Sequence, residues 1–103
     1  MPEHYRIRIM PRAASDLVTI CSFIELHSPQ NAASIARELV TAIDSLKILP
    51  HRYKIHQHRK ESSKSVRSMP VSPFIVYYRV VDHLHVVEVL TVRHGSRQPP
   101  KGF

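Results

Sequence analysis

The sequence predicts an α+β fold with the element order β-α-α-β-β-β, in which a helical hairpin packs on one face of a small, largely antiparallel sheet. After a short alternating segment at the N-terminus, apolar residues follow a helical period as far as Pro50 and a strand-like period after it. Only a few residues separate the two predicted helices, which favours an antiparallel pair. The chain has 103 residues and 43% hydrophobic content, enough for one core, so we expect a single domain over residues 1–103.

The first strand and the first helix follow from the N-terminal quarter of the chain. Tyr5, Ile7 and Ile9 alternate with arginines, which is the pattern of a short, half-buried strand. Pro11 then supplies the fixed φ angle that is tolerated at a helix start. Apolar residues recur after it at i, i+3, i+4 and i+7 and predict one stripe of an amphipathic helix. These residues are Leu17, Ile20, Cys21 and Ile24.

A second helix is predicted to begin at Pro29 with the Ser28 side chain as its N-cap. A serine oxygen can accept a free backbone amide, and proline has no amide to satisfy. The apolar stripe of this helix consists of Ile35, Leu39, Ile43 and Leu46. We expect Pro50 to end the helix, because proline disfavours the α conformation at the preceding Leu49.

Residues 51–64 contain few apolar and many cationic side chains, which predicts a long exposed connection with, at most, an irregular strand. A weak strand is predicted over Val66 to Val71, where Pro70 indicates an edge position or the end of the strand. The next segment, Phe74 to Val81, is apolar on both faces and is therefore predicted to be a central strand.

The end of the chain is predicted to hold one more strand and a tail. Asp82 and His83 indicate a short turn into a strand over Leu84 to Val92, although this dipeptide is a weak hairpin signal. Glycines and prolines then predict an irregular basic tail over residues 95–103.

The composition restricts the kinds of partner and the compartment. Fifteen Lys and Arg against eight Asp and Glu give a formal net charge of +7. This excess favours a nucleic acid or an acidic protein segment as partner, whereas a basic surface that only keeps the domain soluble is the alternative. No segment reaches the roughly 18 to 20 apolar residues of a membrane helix, and the charged start lacks the apolar part of a secretory signal. The single cysteine, Cys21, agrees with a reducing compartment, so we expect a cytoplasmic protein with no membrane partner.

The sequence predicts no metal site and no cofactor. His56 and His58, with His51 nearby, offer imidazoles, but no Cys, Asp or Glu completes a ligand set at a standard spacing. Both glycines lie in the tail, so there is no glycine loop that could hold a phosphate. Cys21 lies on the apolar stripe of the first helix and is interpreted as a small core residue rather than a nucleophile.

Three segments of the last third resemble the RelE/ParE superfamily of bacterial toxins. They read RSMP over 67–70, FIVYYRV over 74–80 and VRHGSRQP over 92–99. The resemblance is closest to the ParE-like branch, which includes plasmid stabilisation proteins. It implies the β-α-α-β-β-β fold and the toxin role in a type II toxin–antitoxin system. It also implies growth arrest, a cognate antitoxin as partner, and a hetero-oligomer with that antitoxin.

The choice of branch rests mainly on Ile75. RelE-like members resemble ribonucleases that cut messenger RNA on the ribosome, and their central strand carries an inward arginine at the position matching Ile75. An isoleucine cannot stabilise the charge on a phosphate in transfer. In the ParE-like pattern, a basic residue and a proline precede a run ending in Tyr-Arg, and the last strand exits into His-Gly-x-Arg. Such toxins act on DNA gyrase without being nucleases, which is the function that the resemblance implies here.

The residues that the resemblance assigns to target binding are Arg67, Arg79, Arg93, His94 and Arg97. In the alternative function, a ribosome-dependent endoribonuclease, the catalytic candidates are Arg67, Tyr78, Arg79, His94 and Arg97. That alternative requires the arginines to cluster at one end of the sheet with Tyr78 or His94 as proton donor. A plain structural role for Tyr78 and a solvated strand position for Arg79 stand against it. A third possibility is a basic interaction module of this fold without toxicity.

Overall fold

The helices and strands of the computed structural model follow the predicted order, with one further strand. The structure describes residues 3–100, so the last three residues of the predicted tail lie outside the described part. The helices are α1 (Pro11–His27) and α2 (Pro29–Asp44). The strands are β1 (Arg6–Ile9), β2 (Ile55–Gln57), β3 (Val66–Val71), β4 (Phe74–Val81) and β5 (Val86–His94).

The strands form a single five-stranded sheet in the order β1-β5-β4-β3-β2. β1 runs parallel to β5, and the other neighbouring pairs are antiparallel. α1 packs against β5 and against α2, and α2 contacts β3. The predicted α+β fold, a helical hairpin on a largely antiparallel sheet, is confirmed.

Proline positions fix the helix starts, whereas the ends of the helices differ from the prediction. α1 begins at Pro11 and α2 at Pro29, as predicted. The Ser28 side chain caps no backbone amide; instead its carbonyl accepts the Asn31 N–H at 2.9 Å, and its hydroxyl accepts from the Asn31 side chain at 2.7 Å. α2 ends at Asp44, earlier than predicted, and a 3₁₀ turn over Ser45–Lys47 continues it.

The segment after α2 is held by one arginine. Leu49 lies in the left-handed region at φ 50° rather than in the extended region that proline favours for the preceding residue. The helix has ended before Leu49, so Pro50 is not the residue that ends it. Arg52 donates from Nη1 to the carbonyls of Ile48 at 2.6 Å and Leu49 at 3.0 Å, and to that of Ser45 at 3.3 Å. A cation at the end of a helical segment satisfies carbonyls that have no intrahelical partner.

The connection predicted as exposed contains the additional strand. β2 pairs with β3 at one edge of the sheet, where Ile55 lies opposite Arg67. Pro70 pairs with Ile75 beyond the reach of β2, which confirms that it lies near the end of its strand. The last strand starts at Val86 rather than Leu84, because residues 82–84 form a 3₁₀ turn instead of a short hairpin turn.

β4 is central and buries residues on both faces, as predicted. The main core lies between the helices and the sheet and includes Leu39, Ile43, Val76, Tyr78, Val87 and Val89. A smaller core on the opposite face, called here the outer face, consists of Val66, Tyr77 and Leu90, with Met10 and Ile75 packed against it. A 3₁₀ turn over Ser62–Lys64 packs against β4. The alternation along β4 therefore separates a helix-covered face from an outer face.

Within residues 3–100, no helix has both the length and the apolar character required to cross a membrane.

Candidate functional site

A cleft of about 610 Å³ opens between α1 and the end of β5, and we call it the strand-exit cleft. Its apolar lining comes from Ile20, Phe23, Ile24, Ile35, Phe74 and Val92. Its polar lining comes from Asp16, Thr19, Arg93, His94, Ser96 and Arg97. The cleft thus combines an apolar wall with three of the predicted site residues, which are Arg93, His94 and Arg97.

Asp16 of α1 fixes the end of β5 to the helix. The pairing of β4 with β5 shifts at Tyr77, so that Leu90 is an extra residue in β5. Next to this bulge, one carboxylate oxygen of Asp16 accepts the Val92 N–H at 3.0 Å and also the Thr91 hydroxyl. Thr91 is 1% exposed, so its hydroxyl needs this internal partner. The contact sets the direction in which the chain leaves the sheet.

A tight turn after β5 presents the histidine of the site. The Gly95 N–H donates to the Pro73 carbonyl at 2.7 Å, and a Cβ at Gly95 would lie 3.2 Å from that oxygen. His94 Nδ1 accepts the Ser96 N–H at 3.1 Å and lies 2.7 Å from the Ser96 hydroxyl. The His94 ring also contacts Phe74 edge-on, with 5.7 Å between centroids. When neutral, this imidazole therefore carries its proton on Nε2.

Tyr78 and Arg67 lie elsewhere and hold the chain after α2 against the sheet. The Tyr78 hydroxyl is buried and donates to the Pro50 carbonyl at 2.6 Å. Burial raises the pKa of Tyr78 to about 12, although the charges of Arg67 and Arg52 act in the opposite direction. Arg67 Nη1 donates to the carbonyls of His51 at 2.9 Å and Tyr53 at 2.8 Å. Both side chains are committed to structural contacts.

Arg79 lies on the outer face, opposite Glu88 of β5. Its Nε atom is buried and has no hydrogen-bond partner among residues 3–100. The structure therefore brings together Arg93, His94 and Arg97 but does not bring Arg67 and Arg79 to them. Phe74, opposite His94, and Tyr78, opposite Arg67, are four residues apart on β4, which corresponds to about 13 Å.

A second polar cluster, which the sequence did not indicate, joins the N-terminal segment to the β4–β5 connection. The Tyr5 hydroxyl donates to Asp82 at 2.7 Å, and His51 Nε2 lies 2.9 Å from the same carboxylate. Partial burial acts to raise the pKa of Asp82, but the hydrogen bonds from Tyr5 and His51 outweigh it and the pKa is lowered. The hydrogen bond to Asp82, together with burial, raises the pKa of Tyr5 to about 12.

The histidines that lie close together in the sequence, His51, His56 and His58, do not form a metal-ligand set within residues 3–100. His56 packs its ring against Tyr77 with 5.1 Å between centroids. In the described part of the chain, no group of three His, Cys, Asp or Glu side chains is placed to hold a metal ion.

The helical hairpin exposes several large apolar side chains, which we call the hairpin apolar surface. It consists of Val18, Phe23 and Leu26 on α1 and Val40 on α2. Leu26 is the most exposed, at 81%, and Phe23 stacks on His27 with 4.1 Å between ring centroids. Exposed apolar groups of this size on neighbouring helices favour contact with a protein partner.

Sequence reasoning assigned no role to Asp16, Gly95 or Ser96, although Gly95 and Ser96 lie within the His-Gly-x-Arg pattern. Asp16 left one usable signal, because it is a carboxylate next to the apolar stripe of α1 and precedes Leu17 directly. The contacts of Gly95 and Ser96 could not be predicted from that pattern, since they depend on the turn at Pro73 and on the position of the His94 ring.

Comparisons with known proteins agree with this architecture. A family model described as the ParE toxin of type II toxin–antitoxin systems, parDE, matches residues 7–99. The chain is 33% identical over 87 residues to the protein named toxin RelE2 of Caulobacter vibrioides, a match that covers 84% of this chain and 90% of that one.

Two solved structures have similar folds. One is the chromosomal ParDE TA system from P. aeruginosa, with a TM-score of 0.69 and 17% identity over 88% of this chain and 96% of that one. The other is the archaeal RelE–RelB complex from Pyrococcus horikoshii, with a TM-score of 0.67 and 15% identity over 92% of this chain and 99% of that one. Both branches of the superfamily are thus represented among the similar proteins.

Proposed function

The chain belongs to the family of ParE toxins of type II toxin–antitoxin systems, and we propose that it acts on DNA gyrase without cutting nucleic acid. The observation that carries this proposal is Ile75, which stands on β4 where RelE-like ribonucleases have an inward arginine. Ile75 packs against the small outer core and adds no charge to the strand-exit cleft. The match to the ParE family model over residues 7–99 supports the same branch.

The geometry of the ribonuclease candidates also favours a non-catalytic toxin. Cleavage of RNA needs an acid and a base of suitable pKa, with cations placed at the phosphate that is transferred. The Tyr78 hydroxyl is buried and bonded to a carbonyl, and Arg67 is bonded to two carbonyls. His94 would have to work with Asp16, whose carboxylate already binds a hydroxyl and an amide of β5.

The strand-exit cleft suits recognition of a large protein. Arg93, His94 and Arg97 lie at the end of a strand and in the turn after it, where loop residues are free to contact a partner. We assign target binding to these three residues. The other two residues predicted for target binding contribute indirectly. Arg67 holds the chain after α2 through its bonds to two carbonyls, and Arg79 adds positive charge.

An antitoxin is the second partner, and we propose that it covers the hairpin apolar surface and one edge of the sheet. An amphipathic helix placed on apolar side chains and a strand added at a free edge are both common modes of peptide recognition. β1 and β2 are the two edge strands. Hydrophobic contacts should supply more affinity than charges, because exposed charges are screened at physiological salt. The product is a hetero-oligomer of toxin and antitoxin.

A supercoiling assay with purified gyrase and the purified chain tests the proposed target. We expect inhibition of supercoiling and accumulation of cleaved DNA, both weakened in the His94→Ala and Arg97→Ala variants. Arg37→Ala, which removes an exposed charge from α2, is the matched control and should retain inhibition. Unimpaired gyrase together with cleavage of ribosome-bound messenger RNA would contradict the proposal.

The ribosome-dependent endoribonuclease is the second candidate function, favoured by the identity to the protein named toxin RelE2. If this candidate is correct, removing His94 should abolish RNA cleavage by orders of magnitude while ribosome binding is largely retained. Normal growth at high expression of the folded chain would reject both toxins in favour of an interaction module.

A further inference from the structure

The excess of positive over negative charge comes from residues outside the helical hairpin. Residues 11–47, which form the helical hairpin and the turn after it, contain three cationic and four acidic side chains. The remainder of the chain contains twelve cationic and four acidic side chains. Attraction of a polyanion is therefore a property of the sheet side of the molecule and not of the helices.

Many of the cations on the sheet side are engaged in internal contacts. Arg52 and Arg67 donate to backbone carbonyls. Arg59 donates to the Gln57 side chain, and Lys64 lies 3.4 Å from Glu61. These contacts stabilise the connection around β2 and leave these side chains less available for an external anion.

The outer face of the sheet carries a row of arginines that lies away from the contacts around β2. Arg8 of β1, Glu88 of β5 and Arg79 of β4 lie opposite one another across three neighbouring strands, so their side chains share a face. Ile75, Tyr77 and Arg79 occupy every second position of β4 and therefore share one face. Ile75 and Tyr77 belong to the small outer core, so this is the face opposite the helices. Arg6 is two residues before Arg8 and points to the same side. We call Arg6, Arg8 and Arg79 the arginine row.

The row has little internal neutralisation. Glu88 is its single acidic neighbour, and the Arg8–Glu88 pair is 3.8 Å long with the Arg8 side chain 67% exposed. An ion pair this exposed contributes little to the free energy of folding. Among residues 3–100, neither Arg6 nor Arg79 forms an ion pair. The Arg79 Nε atom is buried and has no hydrogen-bond partner in the same part of the chain, so a contact with an external anion would use the terminal nitrogens of this side chain. Strands about 4.8 Å apart place the backbones of Arg8 and Arg79 about 10 Å from each other.

We propose that the arginine row is a docking surface for the phosphate backbone of duplex DNA. The row supplies several separated cations on one face, which is what contact with a regular series of phosphates requires. A single-stranded nucleic acid is disfavoured, because it needs exposed aromatic rings on which bases stack. Tyr77, the aromatic side chain on this part of the face, is 3% exposed. Arg93 of the strand-exit cleft lies opposite Ile75 on the same face, but it is five residues along β5 from Glu88, which lies between Arg8 and Arg79. The row is therefore a different part of the face from the cleft, and the inference goes beyond gyrase as the target.

Fluorescence anisotropy with a labelled DNA duplex of arbitrary sequence, in the absence of gyrase, tests this inference. The affinity should fall as salt rises from about 50 to 200 mM, with a log–log slope of about 0.9 per phosphate contact. The double variant Arg6→Gln/Arg8→Gln should reduce the magnitude of this slope by about 1.8. Arg79→Gln should reduce it by about 0.9. Both residues of the double variant are exposed, so we expect the fold to be retained.

The matched control is Arg12→Gln/Arg37→Gln, which removes the same charge from exposed positions on the helices. Its slope and affinity should equal those of the unmodified chain. Equal losses in the two double variants would overturn the inference, because they would make the effect one of net charge. Tighter binding to single-stranded RNA of the same length, or no binding of the duplex at low salt, would also overturn it. Because no gyrase is present, the outcome does not depend on whether gyrase is the target.

Discussion

Replacing Tyr78 by phenylalanine tests whether the hydroxyl of this residue has a structural or a catalytic role. The change removes only the hydroxyl, which donates to the Pro50 carbonyl at 2.6 Å in a buried environment. The ring keeps its packing, so the cost is the lost hydrogen bond and an unsatisfied buried carbonyl, together about 1–3 kcal/mol. For a domain of this size, each kcal/mol lowers the melting temperature by about 4–8 °C. Thermal unfolding followed by circular dichroism measures the shift.

The matched control is Tyr53→Phe, since the Tyr53 hydroxyl makes no hydrogen bond among residues 3–100 and Tyr53 is only half-buried. It should change the free energy of unfolding by less than about 0.5 kcal/mol. At a temperature where both variants are folded, both should still inhibit gyrase. An unchanged melting temperature for Tyr78→Phe, or loss of toxicity from the folded variant, would refute the structural role of this hydroxyl.

Three further predictions concern stability and partner binding. The pKa values of Tyr5 and Tyr78 are each raised to about 12, so the folded state favours the neutral phenols. Their contribution to the free energy of unfolding is complete below the usual pKa of 10.0 and is lost as the pH rises through about 12. Denaturant titrations at several pH values measure this loss. Asp16→Ala should lower the free energy of unfolding by about 1–3 kcal/mol, measured in urea, because it leaves the buried Thr91 hydroxyl and the Val92 amide unpaired. A change near zero would contradict a stabilising role for these two hydrogen bonds. Leu26→Glu should weaken antitoxin binding at least tenfold in calorimetry and leave toxicity intact. Leu84→Glu, at an exposed site outside the helices, should leave antitoxin binding unchanged. Complete loss of the wild-type complex at moderate salt would contradict hydrophobic docking.

The parts of the fold that local chemistry determines could be predicted from the sequence. Pro11 and Pro29 set the helix starts because proline lacks the amide that would be unsatisfied there. The strand β4 was recognisable because it is apolar on both faces. β2 was predicted only as an irregular strand within the exposed connection, and its bounds could not be given, since its pairing depends on backbone contacts with β3 and its three residues are only half-buried. No local pattern marks such an edge strand.

The candidate site could be predicted only where its members are close in sequence. Arg93, His94 and Arg97 lie within one strand end and the turn after it, so a basic strand exit was visible in the sequence. The separation of Arg67 from them depends on the register of β3 against β4, which places Arg67 opposite Tyr78. The register follows from the turn at residues 72–73 and from core packing, which the sequence pattern does not specify.

The contact of β5 with Asp16 on α1 shows that contacts between residues far apart in the chain could not be predicted from sequence patterns. Asp16 and Val92 are separated by 76 residues, and their contact exists only after α1 has packed on the sheet. The arginine row likewise results from the parallel pairing of β1 with β5, which brings the first strand of the chain next to the last. Charge alone predicted a polyanionic partner, but the face that would bind it depends on this topology.

The most direct test of the central claim maps DNA breaks and RNA ends in one bacterial culture after induction of the chain. A gyrase toxin predicts new DNA breaks at gyrase-bound sites, with messenger RNA left intact. The breaks should decrease when Arg97 is replaced by alanine. New RNA ends at ribosomal A-site codons, together with unbroken DNA, would contradict the account.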